Sequence, residues 1–190
     1  MKVLFISLGC DKNLVDSEHM SGILSNAGYE FTDDESEAEV IIINSCCFIH
    51  DAKEESINTI FEMARYKEEG RCKVLVLAGC LAQRYHEEIK EEIPEIDICI
   101  GTTAIDSIAE ALDDYFINHH NIQIINDIDK LSGVNAPRNL STIGSFAYLK
   151  IAEGCDKHCT YCIIPKIRGN FRSIKIETLI REAKDLAERG

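Results

Sequence analysis

Short, unbroken apolar segments alternate with longer segments of mixed polarity along the first two thirds of the chain. The apolar segments run over 3–7, 40–44, 74–78, 96–100 and 122–125. Each has the length of a strand and is apolar at consecutive positions, which is typical of strands covered on both faces. The segments between them have the period of helices and run over 11–27, 52–66, 84–91 and 105–117. This alternation predicts an α/β fold with a doubly wound parallel sheet.

The pattern changes after residue 126. Residues 131–144 contain turn formers and have no clear period, so they are predicted to be a linker. Residues 146–151 alternate like a strand, and a cysteine-rich loop and a helix over 175–188 follow. The charge changes too: residues 1–140 hold 27 acidic and 11 basic side chains, whereas residues 141–190 hold 6 and 9. We therefore expect two units, over 1–130 and 145–190.

The second unit is small. It would hold one strand, one loop and one helix, too little to close a hydrophobic core by itself. We therefore expect the chain to be truncated.

Charge and cysteine content limit the class of protein. A net charge of −13 argues against direct nucleic-acid binding, which needs clustered Lys and Arg. No apolar segment approaches the roughly 20 residues of a membrane span, and the N-terminus lacks a signal peptide's long apolar region. Nine cysteines, an odd number without an export signal, favour metal-binding or catalytic thiolates over disulfides. We therefore expect a cytoplasmic protein without membrane contact.

Three of the cysteines occupy equivalent positions. Cys10, Cys46 and Cys80 each follow a predicted strand. The carboxyl ends of parallel strands face a common crevice where ligands bind, so these thiols could converge there. Three thiolates suit a [4Fe-4S] cluster with one iron left without a protein ligand. The alternative is that they are small buried packing residues.

A second set of cysteines has a more specific spacing. Cys155, Cys159 and Cys162 lie within eight residues, with Tyr161 directly before the last. One loop of this length can wrap a cubane cluster, and the absence of a fourth nearby cysteine leaves one iron for a substrate. A zinc site would need a fourth ligand, for which His158 is the candidate. Because its adjacency to Cys159 strains joint ligation, we interpret His158 as an ordinary loop residue.

This second set resembles the radical S-adenosylmethionine signature. The resemblance implies that Cys155, Cys159 and Cys162 bind a [4Fe-4S] cluster whose open iron chelates the methionine moiety of S-adenosylmethionine. It also implies reductive cleavage to a 5′-deoxyadenosyl radical, with Tyr161 lining the adenine site. A partner that donates electrons, such as flavodoxin or ferredoxin, is implied as well.

The flanking sequence narrows the resemblance and extends it over the whole chain. Residues 7–18, 44–46, 79–85 and 162–173 resemble the radical S-adenosylmethionine methylthiotransferase family. The resemblance implies that residues 1–130 form the family's N-terminal domain and that 145–190 begin a radical S-adenosylmethionine partial barrel with its first βα unit. Because that barrel needs several more βα units, the chain is expected to be the N-terminal part of such an enzyme and to have little or no turnover alone. The resemblance further implies that Cys10, Cys46 and Cys80 bind a second [4Fe-4S] cluster that delivers sulfur, and that two molecules of S-adenosylmethionine are used per product.

Two branches of that family differ in substrate. Lys12-Asn13 and the segment 46–56 are similar to the RimO-type branch, which methylthiolates the β-carbon of an aspartate in a small-subunit ribosomal protein (S-twelve). The MiaB-type branch modifies an adenosine of transfer RNA and has Gln-Met-Asn where this chain has Asp11-Lys12-Asn13. An acidic first unit favours a basic ribosomal protein as partner. The alternatives are the transfer-RNA enzyme and a non-catalytic metal-binding module.

The remaining polar and thiol side chains are given ordinary roles. Asp16 lies near a predicted helix start, where a carboxylate stabilises the helix dipole. Arg168 is predicted to be a solvated surface residue. Cys47 is interpreted as a spare thiol, and Cys72 and Cys99 as packing residues in apolar surroundings.

Overall fold

The computed structural model describes residues 1–141 and 146–189, and its main feature is a six-stranded parallel sheet. The strands are β1 (Lys2–Ser7), β2 (Glu30–Phe31), β3 (Val40–Ser45), β4 (Val74–Gly79), β5 (Ile98–Ile100) and β6 (Ile122–Ile124). Their spatial order is β2-β1-β3-β4-β5-β6, and every neighbouring pair is parallel. The predicted doubly wound parallel sheet is therefore confirmed.

Helices connect the strands and cover both faces of the sheet. They are α1 (Asp11–Asn26), α2 (His50–Ala64), α3 (Tyr66–Glu69), α4 (Cys80–Glu92) and α5 (Ile108–Asn118), the last preceded by a 3₁₀ turn (Ile105–Ser107). Helices α1 and α5 pack on one face, and α2 and α4 pack on the other. In the part of the chain that the structure describes, no helix combines the length and apolar character needed to cross a membrane.

The central strands are apolar at consecutive positions because both of their faces are covered. In β3, Ile41 and Ile43 belong to one core cluster, and Val40 and Ile42 belong to the other. All four side chains have no exposed surface. Burying a side chain of this size contributes about 1.5–3 kcal/mol, so the two middle strands anchor both layers.

The second unit contains β7 (Ala152–Glu153), α6 (Ile164–Arg168), β8 (Arg172–Ser173) and α7 (Ile176–Glu188), with β7 and β8 paired antiparallel. The strand predicted over 146–151 is wrong, because only the two residues that follow it form a strand. Its alternation does not mark a buried apolar face: Phe146 and Ile151 are 61% and 62% exposed, whereas Lys150 is buried. The predicted linker end and the predicted start at 145 fall on residues 142–145, outside the described residues.

The segment after the sheet links α1 to α7. Arg138 is buried and donates from Nε to Glu18 Oε2 at 2.7 Å and from Nη1 to Glu182 Oε1 at 2.8 Å. The Ser141 backbone N–H and hydroxyl donate to the other Glu18 oxygen at 2.8 and 2.9 Å. These contacts hold α7 beside α1, the helix that begins directly after Cys10.

Candidate functional site

Cys10, Cys46 and Cys80 follow strands β1, β3 and β4, which are neighbours in the sheet. All three residues line one cavity of about 1010 Å³, which we call the cysteine cavity. Cys46 and Cys80 are buried, and Cys10 is exposed at the cavity's mouth. The structure thus brings together the three cysteines that the sequence places after strand ends.

The polar side chain of Asn13 connects the turns that carry these cysteines. Asn13 is fully buried, and its Nδ2 donates to the backbone carbonyls of Leu8 and Ser45 at 2.9 Å each. Leu8 precedes the Cys10 turn, and Ser45 precedes Cys46 directly. A single amide therefore fixes the spacing of two strand ends at the cavity.

Two of the cysteines lie at helix N-termini. Cys10 occupies the N-cap position of α1 without a capping side-chain hydrogen bond, and Cys80 is the first residue of α4. The partial positive charge of a helix N-terminus favours a thiolate. Burial raises the pKa of the Cys80 thiol above its ordinary value, although the charge of Arg168 and its hydrogen bond act in the opposite direction. A bound metal would supply the further positive charge that converts this buried thiol to a thiolate ligand.

The donor set and the cavity fit an iron-sulfur cubane. Thiolate is the usual protein ligand of such clusters, and three thiols share this cavity. Because each thiolate of a cubane binds a different iron, the sulfurs need not converge on one point. Within residues 1–141 and 146–189, no group of three or more His, Cys, Asp or Glu side chains is arranged to hold a metal ion.

Gly9 permits the close approach of Cys46 to the first cysteine turn. Its φ is +91°, in the region that favours glycine. A Cβ at this position would lie 2.6 Å from Cys46 Cβ and 2.8 Å from Cys46 Sγ, well inside van der Waals contact. The glycine therefore shapes the wall of the cysteine cavity as well as the turn.

We predict that Gly9→Ala lowers the iron bound at the cysteine cavity and destabilises the chain by about 1–3 kcal/mol through overpacking against Cys46, in addition to the backbone strain. Gly28→Ala is the matched control: its φ is +86°, but nothing lies within 4 Å of an added Cβ. The control carries only the backbone cost of about 1–2 kcal/mol. Iron per chain and urea midpoints are measured for both, and equal iron content would show that Gly9 does not shape the site.

Cys155, Cys159 and Cys162 lie on the loop between β7 and α6, which we call the cysteine loop (residues 155–162). Cys155 and Cys162 are partly buried, and Cys159 is exposed. The Cys155 backbone N–H donates to the Gly169 carbonyl at 3.1 Å, and the Cys162 N–H donates to the Cys159 carbonyl at 2.9 Å. These bonds fix both ends of the loop while the thiols remain accessible from solvent.

His158 and Tyr161 lie at the outer part of the cysteine loop. His158 is exposed and has a φ of +45°, a left-handed backbone conformation directly before Cys159. Tyr161 is 89% exposed, so its ring offers an open face for stacking.

The cysteine loop begins at the wall of the cysteine cavity. Gly154, directly before Cys155, lines the cavity together with Ile164, Ile167 and Arg168 of α6. A Cβ on Gly154 would lie 2.0 Å from the Asn170 carbonyl oxygen, so only glycine fits this close backbone approach. The carboxyl ends of strands β1, β3 and β4 therefore bound one side of the cavity, and Gly154, at the start of the cysteine loop, bounds another.

Four buried charged side chains connect α1 to the segment 150–168, and one of them, Arg168, lines this cavity. We call Asp16, Lys150, Glu153 and Arg168 the buried charge network; each is at most 8% exposed. Lys150 Nζ lies 2.5 Å from Asp16 Oδ1 and 3.0 Å from Glu153 Oε1. Arg168 Nη1 lies 2.7 Å from Asp16 Oδ2 and 3.3 Å from Glu153 Oε1. Two cations thus face two anions, which offsets the cost of burying them.

The network corrects two predictions from the sequence. Arg168 is not a solvated surface residue, because α6 carries its guanidinium inward against Asp16 and Asn13. Asp16 does more than stabilise a helix dipole, because it is the shared partner of two buried cations. Burial acts to raise the pKa of Asp16, but the charges and hydrogen bonds of Lys150 and Arg168 together outweigh that effect. The pKa of Asp16 therefore lies below its ordinary value.

The cysteines outside both sets match their predicted packing roles. Cys72 and Cys99 are buried, at 6% and 7% exposure, in the core around the sheet. Burial raises their pKa values to about 11 and about 12. Cys47 is buried in the same core cluster and donates from Sγ to the Cys80 carbonyl at 3.2 Å.

Comparison with known proteins gives one family and many relatives. The model of the Uncharacterized protein family UPF0004 matches residues 2–101. The chain is 58% identical over its full length to "Ribosomal protein uS12 methylthiotransferase RimO" of Lachnoclostridium phytofermentans, and 52% identical to the protein of that name in Clostridioides difficile. The chain covers 43% of each of these two relatives. A third relative of the same name, from Trichlorobacter lovleyi, is 49% identical over 189 residues, which cover all of this chain and 42% of that protein.

Proposed function

Because the chain belongs to the UPF0004 family, and because relatives along its whole length are named uS12 methylthiotransferases, we propose that it takes part in radical methylthio transfer. The proposed substrate is the β-carbon of an aspartate in ribosomal protein uS12. The observation that carries the proposal is one cavity lined by Cys10, Cys46 and Cys80 and by the residue that begins the cysteine loop, Gly154. The cysteine loop thus begins beside the cavity that the first cysteine set lines, which supports a joint role for the two sets.

In this proposal Cys10, Cys46 and Cys80 hold one [4Fe-4S] cluster, while the three thiols of the cysteine loop hold another. The cysteine loop would hold the cluster that supplies the electron for reductive cleavage of S-adenosylmethionine, and Cys10, Cys46 and Cys80 would hold the cluster that supplies sulfur. The chain's residues would provide the thiolates and fix their spacing. Phe48 and Ile49 add apolar side chains to the cavity lining.

The second unit is proposed to begin a partial barrel that binds S-adenosylmethionine. Tyr161 is proposed to stack on the adenine, which its exposed ring would allow. The partner that donates electrons would be a small redox protein such as flavodoxin or ferredoxin. A ribosomal protein as substrate places the reaction in the cytoplasm.

Charge supports a protein substrate over transfer RNA. Residues 1–140 hold 27 acidic and 11 basic side chains, an excess that repels phosphates and attracts a basic ribosomal protein. The cavity lining itself is balanced in charge: its acidic side chains are Asp51 and Glu55, and its basic ones are Lys12 and Arg168. The attraction therefore comes from the acidic excess of residues 1–140 as a whole.

The test joins this chain to the remaining C-terminal part of the Lachnoclostridium phytofermentans relative, because the chain spans only 43% of that protein. The chimera is reconstituted anaerobically and incubated with S-adenosylmethionine, a reductant and either uS12 or transfer RNA. We expect the mass of a methylthio group on a uS12 aspartate and none on an adenosine. The relative itself is the positive control. Modification of transfer RNA alone would contradict the proposed substrate, and zinc binding without S-adenosylmethionine cleavage would favour a metal-binding module.

A further inference from the structure

Arg168 is the last residue of α6, the helix that follows the cysteine loop, and it lines the cysteine cavity. Its side chain is 5% exposed and lines the same cavity as Cys80. Arg168 Nη2 donates to Asn13 Oδ1 at 2.5 Å, and the Cys80 thiol lies 3.8 Å from that same oxygen. The guanidinium and the thiol therefore share one hydrogen-bond acceptor.

Buried contacts hold this guanidinium in place from two directions. Nη1 lies 2.7 Å from Asp16 Oδ2 on α1 and 3.3 Å from Glu153 Oε1 on β7. Arginine's planar fork keeps its other N–H groups in fixed directions when part of it is anchored. The guanidinium is thus oriented beside Asn13 before any ligand binds.

As a cluster ligand, Cys80 would be a thiolate, which does not donate to Asn13 Oδ1 and instead accepts hydrogen bonds. The Arg168 guanidinium binds that same Asn13 oxygen and lines the same cavity, so it is a nearby donor for the sulfur. Hydrogen bonds and positive charge at a cluster's sulfurs favour its reduced, more negative state.

We propose that Arg168 is a positioning residue for the cavity cluster, donating an N–H to the Cys80 sulfur and raising the reduction potential of the cluster bound there. Because α6 directly follows the cysteine loop, the same side chain ties that loop to the cavity. The inference rests on the proposed function only in requiring a cluster on Cys10, Cys46 and Cys80.

The test compares two double variants that leave the buried charge network neutral. Arg168→Met with Asp16→Asn leaves Lys150 as the cation, whereas Lys150→Met with Asp16→Asn leaves Arg168. Both are made in the 190-residue chain with Cys155, Cys159 and Cys162 replaced by Ala, so that one cluster site remains. Iron and sulfide per chain are measured first, and the midpoint potential is then measured by a redox titration followed by electron paramagnetic resonance.

We expect similar iron content in both double variants and a more negative potential without Arg168. Without Arg168, the equilibrium constant for reduction of the cluster should fall about tenfold, which lowers the midpoint potential by about 59 mV for a one-electron couple. Equal potentials would overturn the inference. An absence of iron in the parent with only Cys10, Cys46 and Cys80 intact would instead overturn the proposed function.

A charge-conserving pair keeps the inference testable if either double variant fails to hold iron. Arg168→Lys removes the fork and keeps the charge, while Lys150→Arg changes the neighbouring cation in the same network. A potential that becomes more negative only in Arg168→Lys supports the inference. A shift of the same size in both variants, or in neither, would overturn it.

Discussion

Replacing Asp16 by Asn will destabilise the chain by about 3–5 kcal/mol, the usual cost of removing one partner from a buried ion pair. Asp16 is 1% exposed and accepts hydrogen bonds from both Lys150 and Arg168. Its loss leaves two buried cations facing the single carboxylate of Glu153. The free energy of unfolding in urea measures the effect.

Asp34→Asn is the matched control for this prediction. Asp34 is an exposed aspartate whose carboxylate accepts bonds from the Ser36 backbone and hydroxyl at 2.9 and 2.6 Å. Surface substitutions of this kind usually change stability by no more than about 0.5 kcal/mol. A similar loss in both variants would contradict the assignment of a special role to the buried network.

The effect of Asp16→Asn will also depend on pH. The pKa of Asp16 is lowered on folding from its ordinary value of 3.8, so the folded state binds its proton less tightly than the unfolded state. Its contribution is fully present above the unfolded pKa and is lost as pH falls through the lower folded pKa. The stability difference between the unmodified chain and Asp16→Asn should therefore shrink below about pH 4. A difference that stays constant with pH would contradict an ionised Asp16.

Cys80→Ala in the chimera will separate the two proposed chemical steps. Methylthio transfer to uS12 should fall by more than about 100-fold, which exceeds the usual cost of losing a hydrogen-bond partner of a metal ligand. S-adenosylmethionine cleavage should continue, because the thiols of the cysteine loop are intact. Cys159→Ala should abolish both. The methylthio mass on uS12 and the release of 5′-deoxyadenosine measure the two steps.

Cys99→Ala is the control for Cys80→Ala. Both thiols are buried, and burial raises the pKa of each. Cys99 lies within strand β5, whereas Cys80 lines the cysteine cavity. Transfer should persist in Cys99→Ala, apart from a modest loss of stability. Transfer that survives in Cys80→Ala would show that the cavity thiols do not serve sulfur delivery.

The sheet could be predicted from sequence because burial on both faces leaves a direct signal. Strands β3 and β4 are apolar at nearly every position, and each is followed by a cysteine. The rule that carboxyl ends of parallel strands face one crevice then predicts that Cys46 and Cys80 lie close together. The shared cavity agrees with that reasoning, whereas the metal-binding role remains a prediction.

The buried charge network could not be predicted because its partners are far apart in sequence. The bond from Lys150 to Asp16 spans 134 positions, and that from Arg168 to Asp16 spans 152. One local signal was available: Asn13 and Asp16 continue, at helical spacing, the stripe that Met20 and Leu24 bury in the core. Polar residues on such a stripe indicate a buried polar contact.

The failed strand over 146–151 has the same cause. Its alternation of apolar and polar residues resembles a half-buried strand, yet Lys150 points inward toward Asp16, and Phe146 and Ile151 are exposed. A buried ion pair with a distant helix outweighs a local pattern when both charges are compensated. Neither residue type nor period along the segment reveals that partner.

The most direct test of the account is metal analysis of the anaerobically reconstituted chain and two triple variants. One replaces Cys10, Cys46 and Cys80 by Ala, and the other replaces the three cysteines of the cysteine loop; Cys72→Ala is the control. We predict roughly eight irons and eight sulfides in the unmodified chain and in the control, and about four of each in either triple variant. Stoichiometric zinc without iron, or full iron content after loss of the cavity cysteines, would contradict the account.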